Sequence, residues 1–410
     1  MPNDTVKFYL LRGEHVIKIK ALRNSKSEHI IYSIPRIYKN QIPLFFDIKG
    51  EYKSYFIEGD EYDNNMINIE IPPLKKDDEI KIILEYEVIV KKETFKDFNK
   101  KILIPKENEL PENIKIWLKP TKSIQSNSLY IKIMSKILKG FGNDLTWFVK
   151  KVVYWNAYHG LFFNTIKRVF AKYYITRKIF YSEKIWLQLE DALSTLFFGG
   201  ACAGNANLIV ALLRSQGVPS RVIITSPCFY GKNIWLDSQH YITDFYCPGN
   251  EWIIAEPGAV GRTLKGNIIL KVVPISDEDI SGDGFGEYGG MHTWFSISNK
   301  EDIVLKVPEE FKSYKINKKE KIGFPILRSW QKEILKIPSK ELDKFSKIMT
   351  ELWKLYLKCA GEFKVIEKTS FKNALEYQKK AIEYLETSDL KNCLEFLKDA
   401  ENEYSKSIRK

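Results

Sequence analysis

The residues best suited to chemistry lie between positions 199 and 256. Gly199-Gly200-Ala201-Cys202 precedes an apolar run, Leu208, Ile209, Leu212 and Leu213, which Gly217 closes. This spacing predicts a buried helix with Cys202 at its N-terminus. There the helix dipole and the free backbone N–H groups lower a thiol's pKa, and the same N–H groups can receive an oxyanion. The position suits a nucleophile; a thiol packed as a small apolar side chain is the alternative.

Downstream, Arg221 to Thr225 reads as a strand after the Val218-Pro219 turn. His240 to Tyr246 and Asn250 to Ala255 then read as a hairpin around Cys247-Pro248-Gly249. Pairing Tyr246 with Asn250 puts His240 opposite Glu256. Directly opposed side chains on one face lie ~5 Å apart at Cβ, so the carboxylate would hold the imidazole in the tautomer that a base needs. Asp244, four residues along the same face, is a second candidate for that task, and a structural histidine is the alternative.

This order of parts, a cysteine opening a helix, Gly-Val-Pro-Ser-Arg leading into a strand, a histidine on the next strand and an acid with proline on the one after, resembles the transglutaminase-like (papain-like thiol) superfamily over about Tyr181 to Pro257. Trp186 and Leu189-Glu190-Asp191-Ala192-Leu193 are similar to the stretch before the nucleophile in bacterial and archaeal members. The resemblance implies Cys202 as nucleophile, His240 as general base and Glu256 as the group that orients it. The implied chemistry is acyl transfer through a thioester, with no cofactor. Gln188 and Trp186 are candidate oxyanion or substrate contacts. The chain departs from the usual family pattern at Glu256, where most members have Asp, and at Ile242 and Ala203.

The glycine-rich stretch Asp277 to Trp294 is a candidate flap over the cleft, with His292 a candidate substrate contact; a plain surface loop is the alternative. It lacks the Gly-Lys-Ser/Thr of a phosphate loop and the spacing of an EF-hand.

The elements that must position these residues imply an α+β chain of three parts. Residues 1–110 alternate with the two-residue period of strands, most clearly Ile80, Ile82, Leu84, Tyr86, Val88 and Val90, and predict a β-sandwich. Residues 126–306 form the transglutaminase-like core, entered through helical periodicity from Ser128 to Phe197. After Pro308 a charged linker leads to a helical hairpin or bundle over 335–410, which either packs on the core or offers a surface to a protein partner.

Composition narrows the function classes. At 410 residues, 44% hydrophobic and 28% charged, the chain has the balance of a globular protein. No signal peptide or ~18-residue apolar span is visible, so the expectation is a cytoplasmic protein without a membrane span. Five cysteines without short-range pairing argue against a disulfide framework or a metal site. The net charge of +12 is dispersed among 52 acidic residues, so a nucleic-acid partner is not expected. The expected substrate is a peptide or protein, and the expected enzyme a cysteine peptidase or amidase. A cross-linking transglutaminase and a non-catalytic binding module are the alternatives.

Overall fold

The computed structural model describes residues 8–91, 101–172, 190–227, 229–230, 234–236, 239–249, 251–255, 267–278, 295–298, 302–306, 326–335, 339–361 and 368–408. Fifteen strands and seven helices of more than one turn are used below. The first six strands are β1 (Phe8–Ala21), β2 (Glu28–Ile34), β3 (Gln41–Gly50), β4 (Ser54–Gly59), β5 (Asn65–Ile71) and β6 (Glu79–Lys91). Helices α1 (Leu129–Lys139), α2 (Leu145–Lys172), α3 (Ala192–Phe198) and α4 (Cys202–Arg214) follow. Next come β7 (Ser220–Pro227), β8 (Phe229–Tyr230), β9 (Ile234–Leu236), β10 (His240–Cys247), β11 (Glu251–Ala255) and β12 (Asn267–Val272). The chain continues through β13 (Phe295–Ile297), β14 (Ile303–Lys306) and β15 (Ile326–Leu335), and ends in α5 (Ser339–Gly361), α6 (Lys368–Glu386) and α7 (Leu390–Ile408).

The architecture is α+β, with N-terminal sheets, a central α+β region and C-terminal helices. One sheet runs β3-β6-β1-β15-β8, with β14 also on β1 and β9 on β15, and a second runs β13-β2-β5-β4. The alternation in β6 is realised: Ile80, Ile82, Leu84, Tyr86 and Val88 are buried. The sheets meet at His15 of β1 and Tyr32 of β2, whose rings lie 4.9 Å apart. Tyr86 of β6, opposite Gly13 in the ladder, turns its hydroxyl to His15 Nε2 at 2.7 Å. Gly13 permits this, because a Cβ there would overlap the Tyr86 ring.

Both sheets recruit strands from beyond the expected boundary at residue 110: β13 pairs with β2, β14 and β15 with β1, and β8 and β9 with β15. The stretch after Pro308 is therefore not a linker throughout, since β15 forms a long antiparallel ladder with β1. Its Arg-Ser-Trp-Gln-Lys-Glu sequence has little two-residue alternation, and the demand for it comes from the otherwise open edge of β1, far away in sequence.

The central sheet, β11-β10-β7-β12, packs against α4. Every α4 residue from Ala203 to Arg214 except Asn205 is buried, because α1, α2, α3, β7 and β10 surround the helix. Arg214 fastens its C-terminal end: the guanidinium is fully buried and paired with Glu278 at 2.7 and 2.8 Å, and it also donates to the Ser220 carbonyl. The C-terminal helices lie on β3 and β4 and extend the sandwich core through Phe46, Tyr356 and Tyr404.

Candidate active site

Cys202 is the first residue of α4, as its sequence position suggests. The N-cap is Ala201, whose side chain cannot cap. The cap comes instead from Glu190, a buried carboxylate that accepts from the Ala201 N–H at 3.0 Å and from the Gly204 N–H at 2.6 Å. Asn207, one turn further along, donates to the Glu190 carbonyl at 2.7 Å and anchors the same residue. Gly200 and Gly204 make room for it, since a Cβ on Gly204 would strike Glu190 Oε2 and Thr195 Oγ1. The first-turn amides of Cys202 and Ala203 have no acceptor inside the helix and remain for an oxyanion. Sequence reasoning noticed Glu190 only through its resemblance to the family stretch. The readable signal was an acid before a helix whose own N-cap is alanine.

The thiol lies half-buried against the start of β10. Its S–H points to the Gln239 carbonyl at 3.9 Å. Tyr241, the residue after His240, is buried, and its hydroxyl pKa is pushed up by burial, then by Cys202 and Glu190. His240 is the first residue of β10, partly exposed, and pairs with Thr225 of β7. The Thr225 hydroxyl donates to the His240 carbonyl at 3.0 Å.

The hairpin register differs from the expected one. Tyr246 pairs with Trp252 and Cys247 with Glu251, so the loop begins at Pro248, not at Cys247. Proline suits the first loop position through its fixed φ, and Gly249 takes φ 79° beside it. The pairing that would have placed His240 opposite Glu256 is therefore not the observed one. The described ladder ends at Thr243 opposite Ala255. Glu256, Trp186, Gln188 and His292 lie outside the described residues, as does the flap candidate beyond Glu278.

Asp244 is committed elsewhere. Its carboxylate receives Arg221 Nε at 3.0 Å and NH2 at 2.5 Å, together with the Tyr38 hydroxyl from the β-sandwich. Burial disfavours the Arg221 charge, but Asp244 and Tyr38 outweigh it and hold the pKa above the usual value. Arg221 also lies 3.5 Å over the Trp252 ring. Asp244 stands four residues from His240 along the strand, roughly 13 Å, so it does not orient the imidazole. Beside Arg221 a cavity of about 550 Å³ opens between Arg36, Tyr38, Tyr62 and Trp117, towards the end of β10 remote from Cys202. Among the described residues no cluster of three or more His, Cys, Asp or Glu is placed to hold a metal ion.

A crystal structure of a proposed cysteine protease from Cytophaga hutchinsonii aligns over 80% of this chain and 98% of its own, at 12% identity and a TM-score of 0.48. No curated protein matches. Residues 165–257, which include both Cys202 and His240, match the family model of the transglutaminase-like superfamily.

Proposed function

We propose that the chain is a thiol enzyme that cleaves peptide amides through a thioester acyl-enzyme, as a cysteine peptidase or amidase. Cys202 is the nucleophile, His240 the general base and Glu256 the group that orients the imidazole. The observation that carries this reading is the half-buried thiol at the start of α4, 3.9 Å from the carbonyl of Gln239, the residue just before His240, inside the family-matched segment.

In this scheme His240 takes the thiol proton and the sulfur attacks the amide carbon. The Cys202 and Ala203 amides receive the oxyanion. Collapse breaks the C–N bond, and the proton on His240 passes to the leaving amine. Water then enters, gives a proton back to His240 and releases the acid from the thioester. If an amine enters instead of water, the same intermediate yields a cross-link.

The specific observation in favour of a non-catalytic binding module is Glu190. A carboxylate at the helix end that carries the thiol takes two backbone amides and opposes a thiolate. Alkylation by iodoacetamide, followed by peptide mass spectrometry, separates the two. The enzyme reading expects Cys202 to label near pH 6 about tenfold faster than an ordinary thiol of pKa ~8.5, and to slow in His240→Ala. Labelling that follows an ordinary thiol and ignores His240 would leave the binding module in its place.

A further inference from the structure

Among the described residues, every exposed large apolar side chain except Leu22 and Leu103 belongs to residues 129–198. On α1 these are Leu129, Tyr130, Ile133 and Ile137; on α2, Trp147, Tyr154, Tyr158, Leu161 and Phe162; on α3, Phe197 and Phe198. Phe141, between Gly140 and Gly142 at the tip of the α1–α2 connection, stands wholly clear of the protein. Folding alone gives no reason to leave so many rings in water, and together they expose on the order of 1,000 Å² of apolar surface, above what ordinary monomers show.

The side chains form one face. Helices α1 and α2 both rest on α4, α1 through the Ser135 hydroxyl on the Leu212 carbonyl at 2.6 Å and α2 through the buried Phe148, Val149 and Val152. The outer side of each therefore points away from α4. Tyr130 meets Phe197 edge to face at 5.1 Å, which joins α1 to α3. His159 bonds the Leu196 carbonyl at 2.8 Å, which joins α2 to α3.

Charge identifies the occupant. Lys132 and Lys136 are exposed between the apolar positions of α1, Lys151 stands 4.8 Å over the Trp147 ring, and Lys139 and Lys150 lie at the margins. The sole acid between 128 and 163 is Asp144, which is occupied in capping α2 at the Trp147 N–H. Cores of protein–protein interfaces are depleted in lysine, whereas an anionic bilayer surface accepts rings and aliphatic groups into its interfacial layer and leaves lysines at the phosphates. A nucleic acid would use the lysines but would not desolvate Leu129, Ile133 and Ile137. No single described helix is long and apolar enough to cross a membrane, so the contact is one that lies on the surface.

We propose that the outer face of α1, α2 and α3 docks the protein on an anionic phospholipid surface. The proposal does not depend on the reaction at Cys202.

The test is flotation of the full-length protein with phosphatidylcholine vesicles, with and without about 30 mol% phosphatidylglycerol. Two surface variants accompany it, Trp147→Ser with Tyr158→Ser, and Lys132→Glu with Lys136→Glu, each checked for native thermal unfolding. The wild type is expected to float with the anionic vesicles, to lose binding in high salt and to bind neutral vesicles weakly. The lysine pair should lower affinity by about 25-fold or more, at about fivefold for each positive charge removed, and the aromatic pair should lower it at every salt concentration. Absence of flotation, or equal flotation of wild type and both variants, overturns the proposal. So does a concentration-dependent dimer, seen by light scattering, that the aromatic pair abolishes while the wild type stays off vesicles; the face would then be a contact between two copies.

Discussion

The Glu190 carboxylate spans the first turn of the helix that Cys202 opens, bonded to the amide just before the cysteine and to the one two residues after it. Two consequences can be separated by mutation. Gly204→Ala places a methyl group against Glu190 Oε2 and Thr195 Oγ1 in a buried site, and overpacking of this kind costs about 1–3 kcal/mol. Glu190→Gln keeps an acceptor and removes the negative charge beside the start of the helix, so Cys202 should be alkylated faster at pH 7. Urea denaturation reads the first. A faster alkylation of Cys202 at pH 7 reads the second, and an unchanged rate would show that the carboxylate only holds the helix.

Asp244 should matter for folding and not for the thiol. Asp244→Asn leaves the largely buried Arg221 without its carboxylate, and breaking a buried pair typically costs about 3–5 kcal/mol. The expected result is a large loss in urea stability with the Cys202 alkylation profile unchanged in the folded protein. If the profile of folded Asp244→Asn moved as it does in His240→Ala, Asp244 would be acting on the histidine after all.

How much was readable in advance follows from the range of each signal. The helix at Cys202, the strands around His240 and the C-terminal helices rest on local periodicity and punctuation, which a single sequence displays. The hairpin register was missed because a three-residue loop slides by one residue between Cys247 and Pro248 without any change in composition. β15 was missed because its pairing with β1 joins residues more than three hundred positions apart. Strand periodicity offers Asp244 only His240 on its own strand; Tyr38, which claims it, arrives from the β-sandwich.

The buried imidazole of His15 makes a prediction about acid. Burial lowers its pKa to about 3, so the folded protein keeps it neutral while the unfolded chain binds a proton near pH 6.5. Between these values the unfolded state holds more protons, so stability is fully present above pH ~6.5 and falls by up to about 1.4 kcal/mol per pH unit on acidification towards 3. Urea denaturation at pH 7, 6, 5 and 4 should show a steeper loss in the wild type than in His15→Asn, whatever the variant's stability at pH 7. Parallel slopes would mean that His15 is protonated in the fold.

The C-terminal helices should prove to be part of the β-sandwich's own core. Gln378 of α6 donates to the Leu44 carbonyl of β3 at 2.8 Å while accepting from Tyr404 of α7 at 2.6 Å, and Lys379 pairs with Asp47 at 3.0 Å. Phe46 packs 6.4 Å from Tyr356 of α5, which stacks 5.0 Å from Trp353. Removal of residues 339–410 would expose Phe46 and Tyr55 and leave the Leu44 carbonyl without its donor, so the shortened chain should be insoluble or lack a cooperative thermal transition. Gln378→Ala, which removes a doubly bonded buried amide, should cost about 1–3 kcal/mol in the intact chain. A soluble, cooperatively folding protein that ends at residue 338 would show instead that the helices are an attached module, and would return them to the role of a partner-binding surface.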